Sequence, residues 1–288
     1  MSTCIMEKYK NINAKEIIIG NNCQIAEDVQ INVRGRFEIG DCSIIKSGTT
    51  IQCEEFVAGE YLYMSKSVEI GRGGFTNKEA IVHIGQHVGI FENTLINPNS
   101  PVTIGDEVGI GTEVMIWTHG AWLDVTQGFP SDFGPVSIGN NVWLPARTIM
   151  LPNTSIGDNC VIGIGSIITK PVPSNSMAAG SPCRVIRENY YPRPLDKQAL
   201  ENLIVPMIEY WKQSTEEKKG VKNISIEFNS ENQMILLNHA NTLTQFDILN
   251  KKITGDNNPL SEDLRDYLRR KGIKIFTGLP FVSLKSII

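Results

Sequence analysis

Residues 138–169 read IGNNVWLPARTIMLPNTSIGDNCVIGIGSIIT, and Ile138, Leu144, Met150, Ile156, Ile162 and Ile168 place a large aliphatic side chain at every sixth position. No α-helix has that period, because its turn takes 3.6 residues. Four residues after each of the first five stands a compact side chain, Val142, Thr148, Thr154, Cys160 or Ser166, with Asn140, Ala146, Pro152 and Asp158 in between. In an unbroken strand, residues two apart share a face. Asn140, Pro152 and Asp158 would then lie among the aliphatics, where unpaired polar groups are costly. The chain must therefore turn within every six residues. Short strands joined by repeated turns, each sending one aliphatic inward, describe a solenoid of hexapeptide repeats.

The same ladder extends towards the N-terminus through Ile104, Ile110 and Ile116, then Ile84, Ile90 and Ile96, then Ile70, with Ile39, Ile45 and Ile51 and finally Ile19, Ile25 and Ile31 before them. Residues 53–69, which include Glu54, Glu55, Tyr61 and Tyr63, read as an irregular or bulged rung. Glycine follows the aliphatic at Gly20, Gly71, Gly105, Gly139, Gly157 and elsewhere, positions where a tight turn calls for a positive φ. Three segments make one coil, and successive coils stack at the strand spacing of about 4.8 Å. One interruption stands out. Ile116 and Ile138 lie 22 residues apart where the repeat expects six, so WTHGAWLDVTQGFPSDFG must loop out. A long excursion from a rigid scaffold is a usual seat of function. This one carries Trp117, His119, Trp122, Asp124 and Asp132.

The 288 residues suffice for a solenoid and a second module. A net charge of −4 argues against nucleic acid as the main partner. The six cysteines include no C-x-x-C pair, and Cys23 and Cys160 fall on the compact position of the repeat, where a thiol packs as a small hydrophobe. The opening residues lack an apolar signal core and no eighteen apolar residues run together, so a cytoplasmic protein without a membrane span is expected. Three parts follow: a β-solenoid over 1–187, a connecting helix over 188–220 and a small α+β appendage over 221–288. In the helix, Leu200, Leu203, Ile204, Met207, Ile208 and Trp211 form one stripe with Pro206 as a kink, a stripe expected to pack on the solenoid's open end. The appendage reads as strands ISIEF, MILL, TQFDIL and IKIF with a helix SEDLRDYLRRK, whose basic cluster Arg265, Arg269, Arg270, Lys271 and Lys274 reads as a solvated face.

The run from Ile138 through SMAAGSPCRVIREN at 176–189 closely resembles the end of the left-handed β-helix of hexapeptide acyltransferases, the galactoside, maltose and nodulation-sugar acetyltransferases among them. The resemblance is specific from Ile81 to Arg187 and is repeat-only from Ile17 to Ile70. It implies the left hand, which no spacing reveals, and a homotrimer binding acyl-CoA in grooves between subunits. Acyl transfer needs a base of near-neutral pKa and donors for a developing oxyanion. Imidazole suits the first role. The resemblance gives it to His119, with Asp124 a candidate to orient the ring or meet the acceptor. It also implies that Trp143 lines the pantetheine groove, that the backbone N–H of Ala146 faces the thioester oxygen, and that Ile164, Thr169 and Lys170 follow the coenzyme arm. Arg184 and Arg187 would meet its phosphates. The family's acceptor-binding acidic residue falls on Asn99 and its partner asparagine on Phe91, so the acceptor is expected to be neither galactoside nor maltose. His83, His87 and His239 read as structural or surface residues. The function implied is acetyl transfer from acetyl-CoA to a sugar hydroxyl in surface polysaccharide biosynthesis. Alternatives are N-acetylation of a nucleotide-linked amino sugar, a γ-type carbonic anhydrase, disfavoured by only four histidines without an H-x-x-x-x-H pair, and a non-catalytic scaffold.

Overall fold

A computed structural model of the chain describes residues 11–71 and 77–285. They divide into two compact units at Pro192/Arg193. In the first, short strands stack into three sheets of eight, seven and nine strands, which form the faces of a coiled prism and follow one another along the chain as first, second and third face. The ladder read from the sequence is the register of the sheets. Ile31, Ile51, Ile70, Ile96, Ile116, Met150 and Ile168 lie over one another on the first face. Ile39, Ala58, Ile84, Ile104, Ile138 and Ile156 do so on the second. Ile45, Met64, Ile90, Ile110 and Leu144 do so on the third. All are buried in one continuous core. Each such side chain withdrawn from water stabilises the fold by about 1.5–3 kcal/mol. The unit is thus a mostly β, left-handed parallel β-helix of hexapeptide repeats.

Two local expectations are corrected. Residues 53–69 form an ordinary coil, with strands Glu55–Ala58, Tyr63–Met64 and Glu69–Ile70 in register with their neighbours. What hid the repeat is that Ala58 and Met64 replace isoleucine, while Phe56 fills the core by stacking on Phe37 at 5.6 Å. The positive φ is met at Gly71, at 132°, and otherwise falls elsewhere. Asn141, Arg147, Asn153 and Asn159 take it, at φ 55°, 60°, 61° and 56°, six residues apart and three residues after the aliphatics at 138, 144, 150 and 156. Asparagine tolerates that conformation better than most side chains. Gly20, Gly105, Gly139 and Gly157 serve close approach instead. A Cβ on Gly139 would lie 2.4 Å from Asp158 Oδ1, the atom that accepts a 2.6 Å hydrogen bond from the Asn140 N–H.

The interruption after Ile116 is a hairpin. His119–Ala121 pairs antiparallel with Ser131–Phe133 around a 3₁₀ turn at Val125–Gln127. The coil ends at Met177–Ala179, which is parallel to Val161–Ile162 but antiparallel to the following strand Arg184–Arg187. The described cysteines form no disulfide with one another and pack in the coil. Burial pushes the Cys53 thiol up to about 12, so it acts as a small hydrophobe.

The second unit holds helix α1 (Lys197–Lys219), a four-stranded antiparallel sheet running Ser225–Asn229, Met234–His239, Thr242–Asp247, Lys252–Gly255, and helix α2 (Pro259–Arg270). Helix α1 was expected as a connector lying on the solenoid. Instead Ile204, Ile208 and Trp211 join Ile226, Leu237, Phe246, Leu264 and Leu268 in this unit's own core, and Trp211 Nε1 donates to Asp263 of α2 at 2.9 Å. Leu203, assigned to the stripe, stays half exposed. The segment IKIF forms no strand, although Ile273 and Ile275 are buried. Nor is the basic cluster a uniformly solvated face. Arg265 is fully buried, donating to the carbonyls of Leu279 and Pro280 with its guanidinium over Phe281 at 4.2 Å, while Arg269 pairs with Asp266 at 2.7 Å. No helix among the described residues is long and apolar enough to cross a membrane.

Candidate active site

The hairpin leaves the prism at the edge between first and second faces, and a buried threonine fixes where it starts. Thr118 Oγ1 donates to the Asn97 carbonyl one coil earlier at 2.7 Å and accepts from the Ser100 N–H at 3.0 Å, while the Thr118 carbonyl accepts from the Gly134 N–H at 3.0 Å. Asn153 Nδ2, on the coil that follows, donates to the Phe133 carbonyl at 3.2 Å. Both ends of the excursion are therefore bound to rigid coils. His119 is the first residue out.

Antiparallel pairing sets His119 opposite Phe133. Their rings stack at 5.8 Å and 21°, with the Trp117 indole edge-on at 6.4 Å. The imidazole makes no hydrogen bond with any described residue, and its Nδ1 is buried. Asp124 is not its partner. That carboxylate caps the 3₁₀ turn, accepting from the Thr126 N–H at 2.9 Å, Thr126 Oγ1 at 2.7 Å and Gln127 Nε2 at 3.1 Å. The Thr126 hydroxyl, more than the rest, holds its pKa below the usual carboxylate value. Beyond it Trp122 stands 95% exposed at the hairpin tip.

Asn99 lies on the same edge as His119, in the coil before, since Ile96 and Ile116 are in register. Asn77 Nδ2 donates to its carbonyl at 2.9 Å and to its Oδ1 at 3.3 Å. Thr169 and Lys170 follow Ile168 onto that edge and are exposed.

The other candidates are grouped on the third face and its edge with the first. Trp143, 43% exposed, lies across Gly109 of the preceding coil, where a Cβ would meet the indole at 2.5 Å. Three residues on, the Ala146 N–H has no hydrogen-bond partner among the described residues, whereas its carbonyl accepts from Gly165 at 3.0 Å. Ile164 lies in the next coil on this edge, 74% exposed. Arg184 and Arg187 sit on the closing antiparallel strand; the first donates to the Cys183 carbonyl at 2.9 Å and the second lies over the Tyr190 ring at 4.6 Å. One chain thus gathers the residues on two edges and does not bring His119 beside Ala146.

Of the remaining histidines, His83 meets Glu55 at 2.6 Å and His87 lies between Glu60 and Glu107, at 3.6 and 2.8 Å. Among the described residues no cluster of three or more His, Cys, Asp or Glu side chains could hold a metal ion. Sequence reasoning did not find Thr118, Phe133 or Asn77. A threonine just before the excursion was the one available signal for the first; the others act through pairing across chain distances that the sequence does not display.

A family model described as "Bacterial transferase hexapeptide (six repeats)" matches residues 135–170. The chain is 42% identical over 109 residues to the galactoside O-acetyltransferase of Escherichia coli K12, covering 37% of this chain and 54% of that one. It therefore spans about half the length of that relative. A solved galactoside acetyltransferase in complex with coenzyme A is 34% identical, with 51% of this chain and 70% of that one covered at a TM-score of 0.41. A presumptive acetyltransferase of Schizosaccharomyces pombe is 32% identical over 152 residues, covering 52% of this chain and 72% of that one. With the repeat, its coiled fold and that breadth of identity in agreement, the chain belongs to the hexapeptide-repeat acetyltransferase family.

Proposed function

We propose that the chain is an acetyltransferase carrying the acetyl group of acetyl-CoA to a sugar hydroxyl, as a cytoplasmic homotrimer acting in surface polysaccharide biosynthesis. The observation that carries this reading is the division of the candidate residues between two edges of the prism. A base on one edge and an unpaired N–H with its neighbouring indole on another serve one reaction only if two copies face each other. A closed threefold ring sets one edge of each copy against a different edge of the next. The curated relative named as a galactoside O-acetyltransferase supports a sugar acceptor.

The chain's own groups fit the co-substrate. The Ala146 N–H is unused and is positioned to donate to a developing oxyanion. Trp143, supported by the missing side chain of Gly109, offers an apolar wall to a pantetheine arm. The bound thioester supplies an activated carbonyl and a thiolate leaving group. His119 takes the proton of the acceptor hydroxyl at Nε2 as that oxygen bonds to the carbonyl carbon, and returns it to the departing sulfur. Phe133 and Trp117 hold the ring plane while this happens.

The test is acetyl-CoA turnover against a panel of sugars and nucleotide-linked amino sugars, with oligomeric state measured alongside. His119→Ala is expected to lower turnover by about 10²–10⁴ while the trimer persists. Undiminished turnover, or transfer only to amino groups, would overturn the reading.

A further inference from the structure

The edge that carries Ala146 has a second set of chemistry-bearing groups. The residues two positions after the third-face strands Tyr63–Met64, Gly89–Ile90, Gly109–Ile110, Trp143–Leu144 and Val161–Ile162, namely Lys66, Glu92, Thr112, Ala146 and Ile164, form a column. Backbone bonds tie its rungs together: Asn93 N–H to Lys66 carbonyl at 3.3 Å, Glu113 to Glu92 at 2.9 Å, Arg147 to Thr112 at 2.9 Å and Gly165 to Ala146 at 3.0 Å. Thr112 and Glu92 therefore lie one and two coils before Ala146, about 5 and 10 Å away at the strand spacing. That is the reach of one sugar ring from the reacting carbonyl.

Glu92 is not a loose surface carboxylate. The buried Ser65 donates its hydroxyl to Oε1 from the coil before, and Thr112 Oγ1 donates to Oε2 at 3.4 Å from the coil after. The Ser65 hydrogen bond, first among its causes, holds the Glu92 pKa below the usual value, and Lys66 adds to the effect, so the group is ionised at neutral pH. A carboxylate has about four acceptor positions; Ser65, Thr112 and the Glu92 N–H take three of them, which leaves one for a ligand. Aromatic rings lie on the third face beside this edge. Phe91, 36% exposed, lies against Gly89, 3.3 Å from where a Cβ would stand, and meets the Tyr63 ring at 5.9 Å. In the next coil, between Phe91 and Pro145, the edge carries only Gly111.

A rigid anionic acceptor beside aromatic faces suits a ring with hydroxyls on its rim and C–H groups on its flat sides. A hydroxyl forms a charge-assisted hydrogen bond to the carboxylate while the apolar side lies on the aromatic rings. We propose that Glu92, with Tyr63, Phe91 and Thr112 around it, is the subsite that recognises an uncharged pyranose in the acceptor. The inference rests on the sugar acetyltransferase reading and deepens it. The same carboxylate repels a ring that bears a carboxylate or phosphate of its own.

The experiment measures binding, which needs no turnover. Methyl β-D-galactopyranoside, methyl β-D-glucopyranoside and methyl β-D-glucuronide are titrated into the full-length protein by saturation-transfer NMR. The wild type is expected to bind at least one neutral glycoside about tenfold more tightly than the glucuronide. Glu92→Gln weakens that binding about tenfold and removes the discrimination, with a thermal midpoint within about 2 °C of wild type and a CoA affinity within about twofold as the control for folding. Neutral binding untouched by Glu92→Gln, a glucuronide bound as tightly as the neutral sugars, or no sugar bound by the wild type would each overturn the proposal. His119→Ala separates the two ideas: it retains glycoside binding, so sugar binding without any acetyl transfer by the wild type would overturn the enzymatic reading and leave this subsite standing.

Discussion

The imidazole of His119 is held by a phenyl ring stacked on it and an indole edge beside it, without a hydrogen bond from any described residue. Ring packing therefore does the orienting that a carboxylate does in many sites built on histidine. Phe133→Ala is expected to lower kcat about tenfold while the KM for acetyl-CoA stays within about threefold, because misplacement by about 1 Å is enough to slow a reaction strongly. Asp124→Ala should leave kcat within about threefold, since its carboxylate is occupied by Thr126 and Gln127. Steady-state kinetics on the two variants side by side check the contrast. His119 was singled out in the sequence because the repeat fails by sixteen residues just beside it and because the resemblance to hexapeptide acyltransferases puts a base at the start of that loop. Phe133 was not, because its contact arises only when the hairpin closes. The role of Asp124 was in fact written in DVTQG, an acidic residue before a short turn, but its place in the loop suggested chemistry instead.

At the scale of the element, the six-residue unit is a strand, a corner and one inward side chain, and each part left a different trace in the sequence. The inward aliphatics repeat strictly and fixed the ladder, whereas the corners are defined by backbone angle and by the coil above. Hence the glycines looked like left-handed turns, while asparagine and arginine three residues beyond the aliphatics take that conformation. Gly111 shows what the glycines do. A Cβ there would lie 2.6 Å from the Ala146 nitrogen and 3.0 Å from the Leu144 carbonyl oxygen, all backbone contacts that cannot swing aside. Gly111→Ala is accordingly expected to cost about 1–3 kcal/mol in unfolding experiments. It should also lower kcat more than the unfolding alone accounts for, because the displaced atom is the proposed oxyanion donor.

For the whole molecule, two separate hydrophobic cores predict two melting transitions in calorimetry. Arg265→Ala should lower only one of them, by about 3–5 kcal/mol, since it strips Glu262 and three chain carbonyls of a buried partner. Acid acts on the same unit. Burial alone would raise the Asp266 pKa, but Ser283 and Arg269 as hydrogen-bond donors and the charges of Arg269 and Arg270 outweigh it and hold the value below 3.8. A carboxylate with a depressed folded pKa contributes stability that is present above its unfolded value and lost as pH falls through the folded one. The second unit's transition should therefore drop as pH is taken below about 4, and Asp266→Asn should flatten that drop. The sequence showed that a second module existed but placed α1 outside it, because an amphipathic stripe reveals that a face is buried and not which surface buries it.

The antiparallel strand Arg184–Arg187 follows eight strands of parallel pairing on the third face. A coil of this kind has no intrinsic length, and its last rung is a template on which an identical chain could continue, end upon end, into a fibre. Reversing the direction of the final strand changes the hydrogen-bond pattern it offers, so a further rung would have to pair antiparallel to it and could not repeat the parallel register of the coil. On that face the reversed strand breaks the repeat that a fibre would have to extend.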